Sequence, residues 1–157
     1  MNEFQKRGRG QFMEIERKFL VAKMPSLDGL KHDKIIQGYV SLSPEIRVRK
    51  KGDEYYICEK SDGYTVREEK ERKTDEKTFD ELFAKTSGRV IEKTRYYIPS
   101  GKYVFELDIY SGRHEGLSVV EVEFPTLEEA NDFTPPDWFG EDVSCRAEYK
   151  NKNLSLK

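Results

Sequence analysis

Alternation of charged and apolar residues along short segments constrains the fold of this chain more than any other sequence feature. Phe105, Leu107 and Ile109 alternate with Glu106 and Asp108, for example. Because successive side chains of a β-strand point to opposite faces, this pattern places the carboxylates on one face and the apolar groups on the other. Short runs rich in β-branched and aromatic residues, bounded by turn residues, predict eight strands. They lie at about 13–21, 35–42, 45–50, 54–60, 64–72, 90–98, 102–110 and 118–124.

Short glycine-containing turns separate several of these strands, which favours antiparallel hairpins and therefore an up-and-down barrel or a sandwich. Two amphipathic helices are expected outside the sheet. The first has Thr74 as its N-cap and ends near Gly88, and the second begins at Thr126 in a capping-box pattern with Glu129. The predicted fold class is thus mainly β, with a few helices (α+β).

Like charges recur at i and i+2 within single strands, with carboxylate pairs on four strands and cation pairs on two others. A solvated outer face is the simpler interpretation of any one strand, but neighbouring like charges repel. Paired carboxylates suit a hard divalent cation, and paired Arg and Lys suit phosphate. A closed barrel with charges inside and apolar residues outside, partly covered by the helices, accounts for both kinds of pair.

The charged fraction is high but balanced in sign, which excludes several classes of protein. Charged residues make up 37% of the chain and the net charge is −2, whereas an ordinary domain has about 25% charged residues. Nucleic-acid binding is not expected, because one sign does not dominate. No apolar run is long enough for a membrane span. Two cysteines do not form a disulfide framework, so a cytoplasmic protein is expected.

The first residues lack the alternating pattern and contain three cations within four positions. We therefore predict that residues 1–12 are a leader or tag, disordered or non-native, and that residues 13–157 form a single domain.

Clusters of charged residues follow one another in a distinctive order. The first is Glu14-Ile15-Glu16-Arg17-Lys18, an ExExK pattern. The others are Arg47-Val48-Arg49, Lys60, Arg67-Glu68-Glu69-Lys70-Glu71, Lys93-Thr94-Arg95-Tyr96, Glu106-Leu107-Asp108, Glu121-Val122-Glu123-Phe124 and Tyr149-Lys150-Asn151. In this order and strand parity the sequence resembles the CYTH superfamily, the triphosphate tunnel metalloenzymes, over nearly all of residues 13–153.

The resemblance implies an eight-stranded antiparallel closed β-barrel that forms a tunnel, with Mg²⁺ or Mn²⁺ bound by carboxylates and a triphosphate bound by cations. The implied metal ligands are Glu14, Glu16 and Glu123, with Glu121 beside them. The implied triphosphate-binding residues are Lys18, Arg47, Arg49, Lys60, Arg67, Lys93, Arg95 and Lys150. The implied catalytic residues, which would hold a second metal or orient the attacking water, are Glu69, Glu71, Glu106, Asp108 and Glu121.

The resemblance further implies an enzyme, a metal-dependent hydrolase of inorganic tripolyphosphate or, more widely, of nucleoside triphosphates. Its partner would be this small-molecule substrate, with no nucleic acid or membrane, and the protein would be a monomer or homodimer. A class IV adenylate cyclase, which makes cyclic AMP and pyrophosphate from ATP, is the main alternative. A thiamine triphosphatase and a non-catalytic polyphosphate-binding module also remain open, since no adenine or thiamine pocket is recognisable in the sequence.

Overall fold

The computed structural model describes residues 10–157, which form a closed antiparallel barrel of eight strands with one extra strand and three α-helices. This confirms the predicted fold class. The strands are β1 Gly10–Val21, β2 His32–Leu42, β3 Glu45–Lys51, β4 Glu54–Lys60, β5 Val66–Thr74, β6 Val90–Ser100, β7 Tyr103–Ser111, β8 Ser118–Glu123 and β9 Phe139–Asp142. The helices are α1 Glu76–Phe83, α2 Leu127–Asp132 and α3 Asn151–Leu154.

Strand β1 closes the barrel because it pairs along both of its edges. Its first half pairs with β5, where Glu14 lies opposite Arg67. Its second half pairs with β8, where Glu16 lies opposite Glu123. The order around the barrel is β1-β5-β4-β3-β2-β6-β7-β8, and β9 pairs with the end of β1 beyond β5. The resulting registers set charged residues of β1, β5 and β8 side by side on the inner face.

Several boundaries differ from the sequence-based prediction. Strand β1 begins at Gly10, which pairs with Glu71 of β5, so residues 10–12 lie in the sheet. The assignment of residues 1–12 as a leader or tag stays a prediction. The rest of the predicted leader, residues 1–9, lies outside the described residues. Strand β9 was not predicted, because four residues are too short to display a clear period of two.

The first helix has a different N-cap from the predicted one. Thr74 still pairs with Tyr55 as the last residue of β5, so the cap falls to Asp75, whose carboxylate accepts a hydrogen bond from the Thr78 backbone N–H at 2.7 Å. The helix ends at Phe83, before the predicted end near Gly88. The cap at Thr126 is confirmed, since its hydroxyl accepts from the Glu129 backbone N–H at 3.1 Å.

One outer side of the barrel is covered by α2, β9 and the loop between them. A buried cluster of apolar residues lies there, and Phe133 and Trp138 pack against it. The buried members are Phe19, Phe105, Leu107, Val120, Val122, Phe124, Ala130 and Phe139. Arg17 connects β1 to helix α2. Its guanidinium lies 4.9 Å from the centre of the Phe19 ring and donates to the Ala130 carbonyl at 2.8 Å. Burial of this surface is the main stabilising term on this side.

Helix α1 covers another outer side of the barrel. Its Phe79 is buried, and the centres of the Phe79 and Tyr55 rings are 5.2 Å apart. The chain after the helix approaches β2 so closely that a Cβ atom at Gly38 would lie 2.5 Å from Cγ2 of Thr86. Glycine is therefore required at this place by packing.

The barrel interior is apolar at the end covered by α3. An apolar plug, which we define as Tyr39, Ile91, Tyr110, Val119 and Leu154, fills it. Ile91 lies on the same face of β6 as Lys93, and Tyr110 lies on the same face of β7 as Asp108. The inward face of each strand is therefore charged along part of its length and apolar along the rest. Among the described residues, no helix is long and apolar enough to cross a membrane.

Candidate active site

A charged cavity of about 1070 Å³ occupies the barrel interior. All the site residues predicted from the sequence line this cavity, except Lys93 and Asp108. The lining residues from that set are Glu14, Glu16, Lys18, Arg47, Arg49, Lys60, Arg67, Glu69, Glu71, Arg95, Glu106, Glu121, Glu123 and Lys150. The period of two thus identified the inward face correctly, while their functional roles remain predictions.

Three carboxylates meet on one wall of the cavity. Glu14, Glu16 and Glu123, hereafter the carboxylate cluster, each offer an oxygen within 4.8 Å of the oxygens of the other two. Glu14 and Glu16 share a face of β1, and the β1–β8 register sets Glu123 directly opposite Glu16. The structure therefore brings together the three residues that the resemblance implied as metal ligands.

The electrostatics of this cluster are those of crowded like charges. Withdrawal from water, together with Glu121 and Glu14, raises the pKa of Glu16 well above its usual range. Burial and the carboxylates of Glu106 and Glu14 likewise raise the pKa of Glu123. Burial also opposes ionisation of Glu14, but Lys60 and Arg67 outweigh it and hold the Glu14 pKa well below its usual range. A cation bound among these oxygens would relieve the repulsion that raises the pKa values of Glu16 and Glu123.

A second group lies on β4 and β5, where ligand atoms of Cys58, Glu69 and Glu71 are within 4.8 Å of one another. The Cys58 thiol donates to Glu69 at 3.5 Å. Burial raises the pKa of this thiol to about 12, which makes it a poor nucleophile. Burial raises the pKa of Glu69 to about 7, with Lys60 acting against the shift and Glu14 adding to it.

Several cavity cations are already paired with carboxylates. Lys60 lies 2.9 Å from Glu14, and Arg67 lies 3.2 Å from Glu45. The guanidinium of Arg47 is 3.5 Å from Glu71. These side chains have restricted geometry, because each ion pair fixes the direction of its cation.

Among the cations predicted to bind triphosphate, Lys18, Arg49 and Lys150 make no salt bridge within residues 10–157. The Lys18 ammonium donates to the Tyr149 carbonyl at 2.9 Å, and the Lys150 ammonium donates to the Gly63 carbonyl at 2.6 Å. Arg49 donates only to the neutral side chain of Gln37. Burial, together with Arg47 and Arg95, lowers the Arg49 pKa. An anion in the cavity would find these charges unneutralised.

Lys93, Arg95 and Asp108 form a base layer next to the apolar plug, with the Lys93 ammonium 5.6 Å from the centre of the Tyr110 ring. Both oxygens of Asp108 accept from Arg95, at 2.7 and 2.9 Å, and one also accepts from Lys93 at 2.7 Å. Burial opposes ionisation of Asp108, but Arg95 and Lys93 prevail and lower its pKa. The side chains of Lys93 and Asp108 are fully buried. Neither is exposed to the cavity, which explains why they are absent from its lining.

The cavity wall also contains residues that the sequence-based prediction missed, including Asp33, Glu45, Lys51, Tyr56 and Tyr97. Asp33 and Lys51 lie at strand ends beyond the predicted boundaries. Glu45 has the strand parity of the predicted cations on β3, so the period of two could have identified it. The tyrosines carry no charge and gave no signal, although Tyr97 donates to Asp33 at 2.9 Å.

The donor set of the carboxylate cluster fits a hard divalent cation such as Mg²⁺ or Mn²⁺. Such ions take oxygen ligands, and Mg²⁺ is bound in proteins by one or two carboxylates together with substrate phosphates. The cluster supplies only oxygen atoms, and it faces a cavity large enough to hold a phosphate chain beside them.

Comparisons with known proteins identify relatives of this chain. No family model matches the chain. An inorganic triphosphatase of Nitrosomonas europaea is 46% identical over 149 residues, covering 91% of this chain and 97% of that protein. An inorganic triphosphatase of Acetivibrio thermocellus is 32% identical over 145 residues, covering 90% of this chain and 92% of that protein.

Solved structures show the same architecture. A crystal structure of an inorganic triphosphatase has a TM-score of 0.70 and 41% identity, covering 92% of this chain and 95% of that chain. A Bacillus halodurans protein described as an adenylate cyclase candidate has a TM-score of 0.58 and 17% identity, covering 78% of this chain and 86% of that chain. The second likeness shows the fold alone. The chain belongs to the CYTH superfamily, the triphosphate tunnel metalloenzymes.

Proposed function

We propose that this protein is a triphosphatase that hydrolyses inorganic tripolyphosphate with the help of Mg²⁺ or Mn²⁺. The observation that carries the proposal is the division of one cavity into a carboxylate cluster and a set of unneutralised cations. Relatives that are inorganic triphosphatases over nearly their whole length support the same activity. A triphosphate chain with a divalent cation would satisfy both halves of the cavity at once.

Glu14, Glu16 and Glu123 would hold the cation, with Glu121 beside them. When bound, the cation supplies charge neutralisation for the phosphate oxygens and lowers the pKa of water. Lys18, Arg49 and Lys150 bind the phosphate chain, since they reach the cavity without carboxylate partners.

The paired cations of the wall complete this binding surface and fix the orientation of the substrate. Phosphoryl transfer needs little covalent chemistry from the protein, so positioning and charge stabilisation supply most of the catalysis. Arg95 is the best-anchored of these cations, because Asp108 holds it in a bidentate ion pair and Glu106 contacts its third nitrogen at 2.9 Å. We assign Asp108 and Lys93 to positioning of Arg95, since neither reaches the cavity.

Glu69 is the best placed carboxylate to accept a proton from the attacking water. Its pKa of about 7, raised chiefly by burial, lies where a general base is effective at neutral pH. Glu71, Glu106 and Glu121 neutralise neighbouring arginines and orient them toward the substrate.

A substrate panel tests the proposal. Purified protein is incubated with tripolyphosphate, ATP or thiamine triphosphate, each with Mg²⁺, Mn²⁺ or EDTA, and the products are separated. We expect orthophosphate chiefly from tripolyphosphate, and none in EDTA. Formation of cyclic AMP and pyrophosphate from ATP would establish a cyclase instead. Preferred hydrolysis of thiamine triphosphate would establish a thiamine triphosphatase. Binding of tripolyphosphate without any turnover would favour a binding module.

A further inference from the structure

The arginines that line the cavity differ in the kind of partner that fixes them. Arg47, Arg67 and Arg95 each form a salt bridge with at least one carboxylate. Arg49 instead donates twice to one amide oxygen, Oε1 of Gln37, at 3.0 Å from Nε and 2.8 Å from a terminal nitrogen. The guanidinium is held by two hydrogen bonds, as in a bidentate ion pair, but its charge is not neutralised.

The sheet register builds this contact. Gln37 on β2 lies directly opposite Arg49 on β3, and both side chains point inward. Directly opposed residues of antiparallel strands have Cβ atoms about 4.5–5.5 Å apart, which is short enough for the amide to reach the guanidinium. Gln37 is fully buried and does not line the cavity, whereas Arg49 does.

A third residue fixes the orientation of the amide. The Gln37 Nε2 group donates to the Tyr39 hydroxyl at 2.9 Å, two residues along the same strand face. Because arginine has only donors, the amide oxygen must face Arg49 and the amide nitrogen must face Tyr39. Rotation of the amide by 180° would set donors against donors and break the contacts with Arg49.

From this arrangement we infer that Gln37 is a positioning residue for triphosphate binding, which fixes Arg49 while leaving its positive charge available to a phosphate oxygen. A carboxylate here would hold Arg49 equally well but would neutralise it, and an apolar side chain would leave it free to move. The inference rests on the proposed function, because it assumes a phosphate-bearing ligand in the cavity.

Steady-state kinetics with tripolyphosphate and Mg²⁺ test the inference on Gln37→Glu, a near-isosteric change that adds one carboxylate. We expect the KM to rise about tenfold, because a charge-assisted contact is weakened, while kcat changes much less. Asn131→Asp adds the same charge on the exposed face of α2 and should leave both constants unchanged. An unchanged KM for Gln37→Glu would overturn the inference.

A double-mutant cycle distinguishes action through Arg49 from a general effect on the barrel. Arg49→Ala alone should raise the KM, and adding Gln37→Glu to it should produce little further change. A rise of similar size in the Arg49→Ala background would overturn the inference. Should Gln37→Glu fail to fold, Gln37→Met, which keeps the volume without hydrogen bonds, must still raise the KM. An unaltered KM in Gln37→Met would contradict the inference.

The wild-type arm keeps the two proposals separate. If wild-type protein neither hydrolyses nor binds tripolyphosphate, the proposed function fails and the inference fails with it. If wild-type protein is active and the Gln37 variants behave like it, only the inference fails.

Discussion

The base layer and the carboxylate cluster arrange charged side chains in different ways inside the same barrel. In the base layer, Asp108 accepts from both Lys93 and Arg95 at 2.7–2.9 Å, so opposite charges are paired. In the carboxylate cluster three carboxylates converge within 4.8 Å, and within residues 10–157 only Glu14 of the three forms salt bridges, with Lys60 and Arg67. Pairing makes buried charge compatible with a folded barrel, whereas convergence raises the free energy of the barrel until a ligand of opposite charge binds. We therefore propose that Lys93 and Asp108 stabilise the barrel and hold Arg95 in place, and that the carboxylate cluster binds a cation.

The largest expected effect comes from breaking the base layer. Asp108→Asn leaves Lys93 and Arg95 buried with one fewer negative charge, and removal of one partner from a buried ion pair costs about 3–5 kcal/mol. The free energy of unfolding, measured by urea denaturation, should fall by an amount in this range. Asp142→Asn disrupts the partly exposed ion pair with Arg17 and should cost about 1 kcal/mol or less. Equal losses in the two variants would contradict a structural role specific to the base layer.

Removing one member of the carboxylate cluster should spare the fold and abolish turnover. Glu16→Gln keeps the side-chain shape but removes a negative charge from the proposed cation site, so we expect kcat with tripolyphosphate to fall about 100-fold or more. Glu59→Gln, the same substitution at an exposed position of β4, is the matched control and should keep full activity. Undiminished activity of Glu16→Gln would contradict the assignment of this carboxylate.

These assignments go beyond what the sequence could predict, because a period of two gives the face of a residue and not its depth. The alternation in β6 and β7 correctly sent Lys93 and Asp108 inward, but it could not reveal that Ile91 and Tyr110 fill the interior just beyond them. For this reason Lys93 and Asp108 were predicted to reach the ligand. Gln37 was missed for a different reason, since a neutral side chain leaves no trace in a charge pattern. Its importance depends on the β2–β3 register, which only the structure supplies.

Two lysines inside the barrel, Lys93 and Lys18, should respond differently to the same substitution. Lys93→Met should destabilise the protein, because Asp108 loses one of its partners in a fully buried setting. Lys18→Met removes a cation that donates to the Tyr149 carbonyl and forms no salt bridge within residues 10–157, so the KM for tripolyphosphate should rise roughly tenfold with little loss of stability. The reverse outcome, a stable Lys93→Met and an unfolded Lys18→Met, would exchange the roles of the two regions.

The smallest effect concerns the pH dependence of unfolding, to which Asp108 and Glu16 should contribute with opposite signs. The Asp108 pKa is lowered by Arg95 and Lys93 against the effect of burial, so its contribution to stability persists above about pH 4 and is lost as the pH falls through the folded-state pKa. The Glu16 pKa is raised by burial, Glu121 and Glu14. The contribution of Glu16 to the free energy of unfolding therefore declines as the pH rises above about 4.3, the usual pKa of glutamate.

Urea denaturation in EDTA at pH 5 and pH 8 measures this effect. Glu16→Gln removes the titrating group, so its gain in stability over wild-type protein should be larger at pH 8 than at pH 5. A gain that is independent of pH, or a loss that grows with pH, would contradict the raised pKa.

Anomalous scattering from crystals of the wild-type protein grown with Mn²⁺ tests the assignment of the carboxylate cluster as a cation site. We expect the strongest anomalous peak inside the barrel to be bonded to oxygens of Glu14, Glu16 and Glu123. A strongest peak at Cys58, Glu69 and Glu71, or none inside the barrel at a Mn²⁺ concentration that supports full activity, would contradict it.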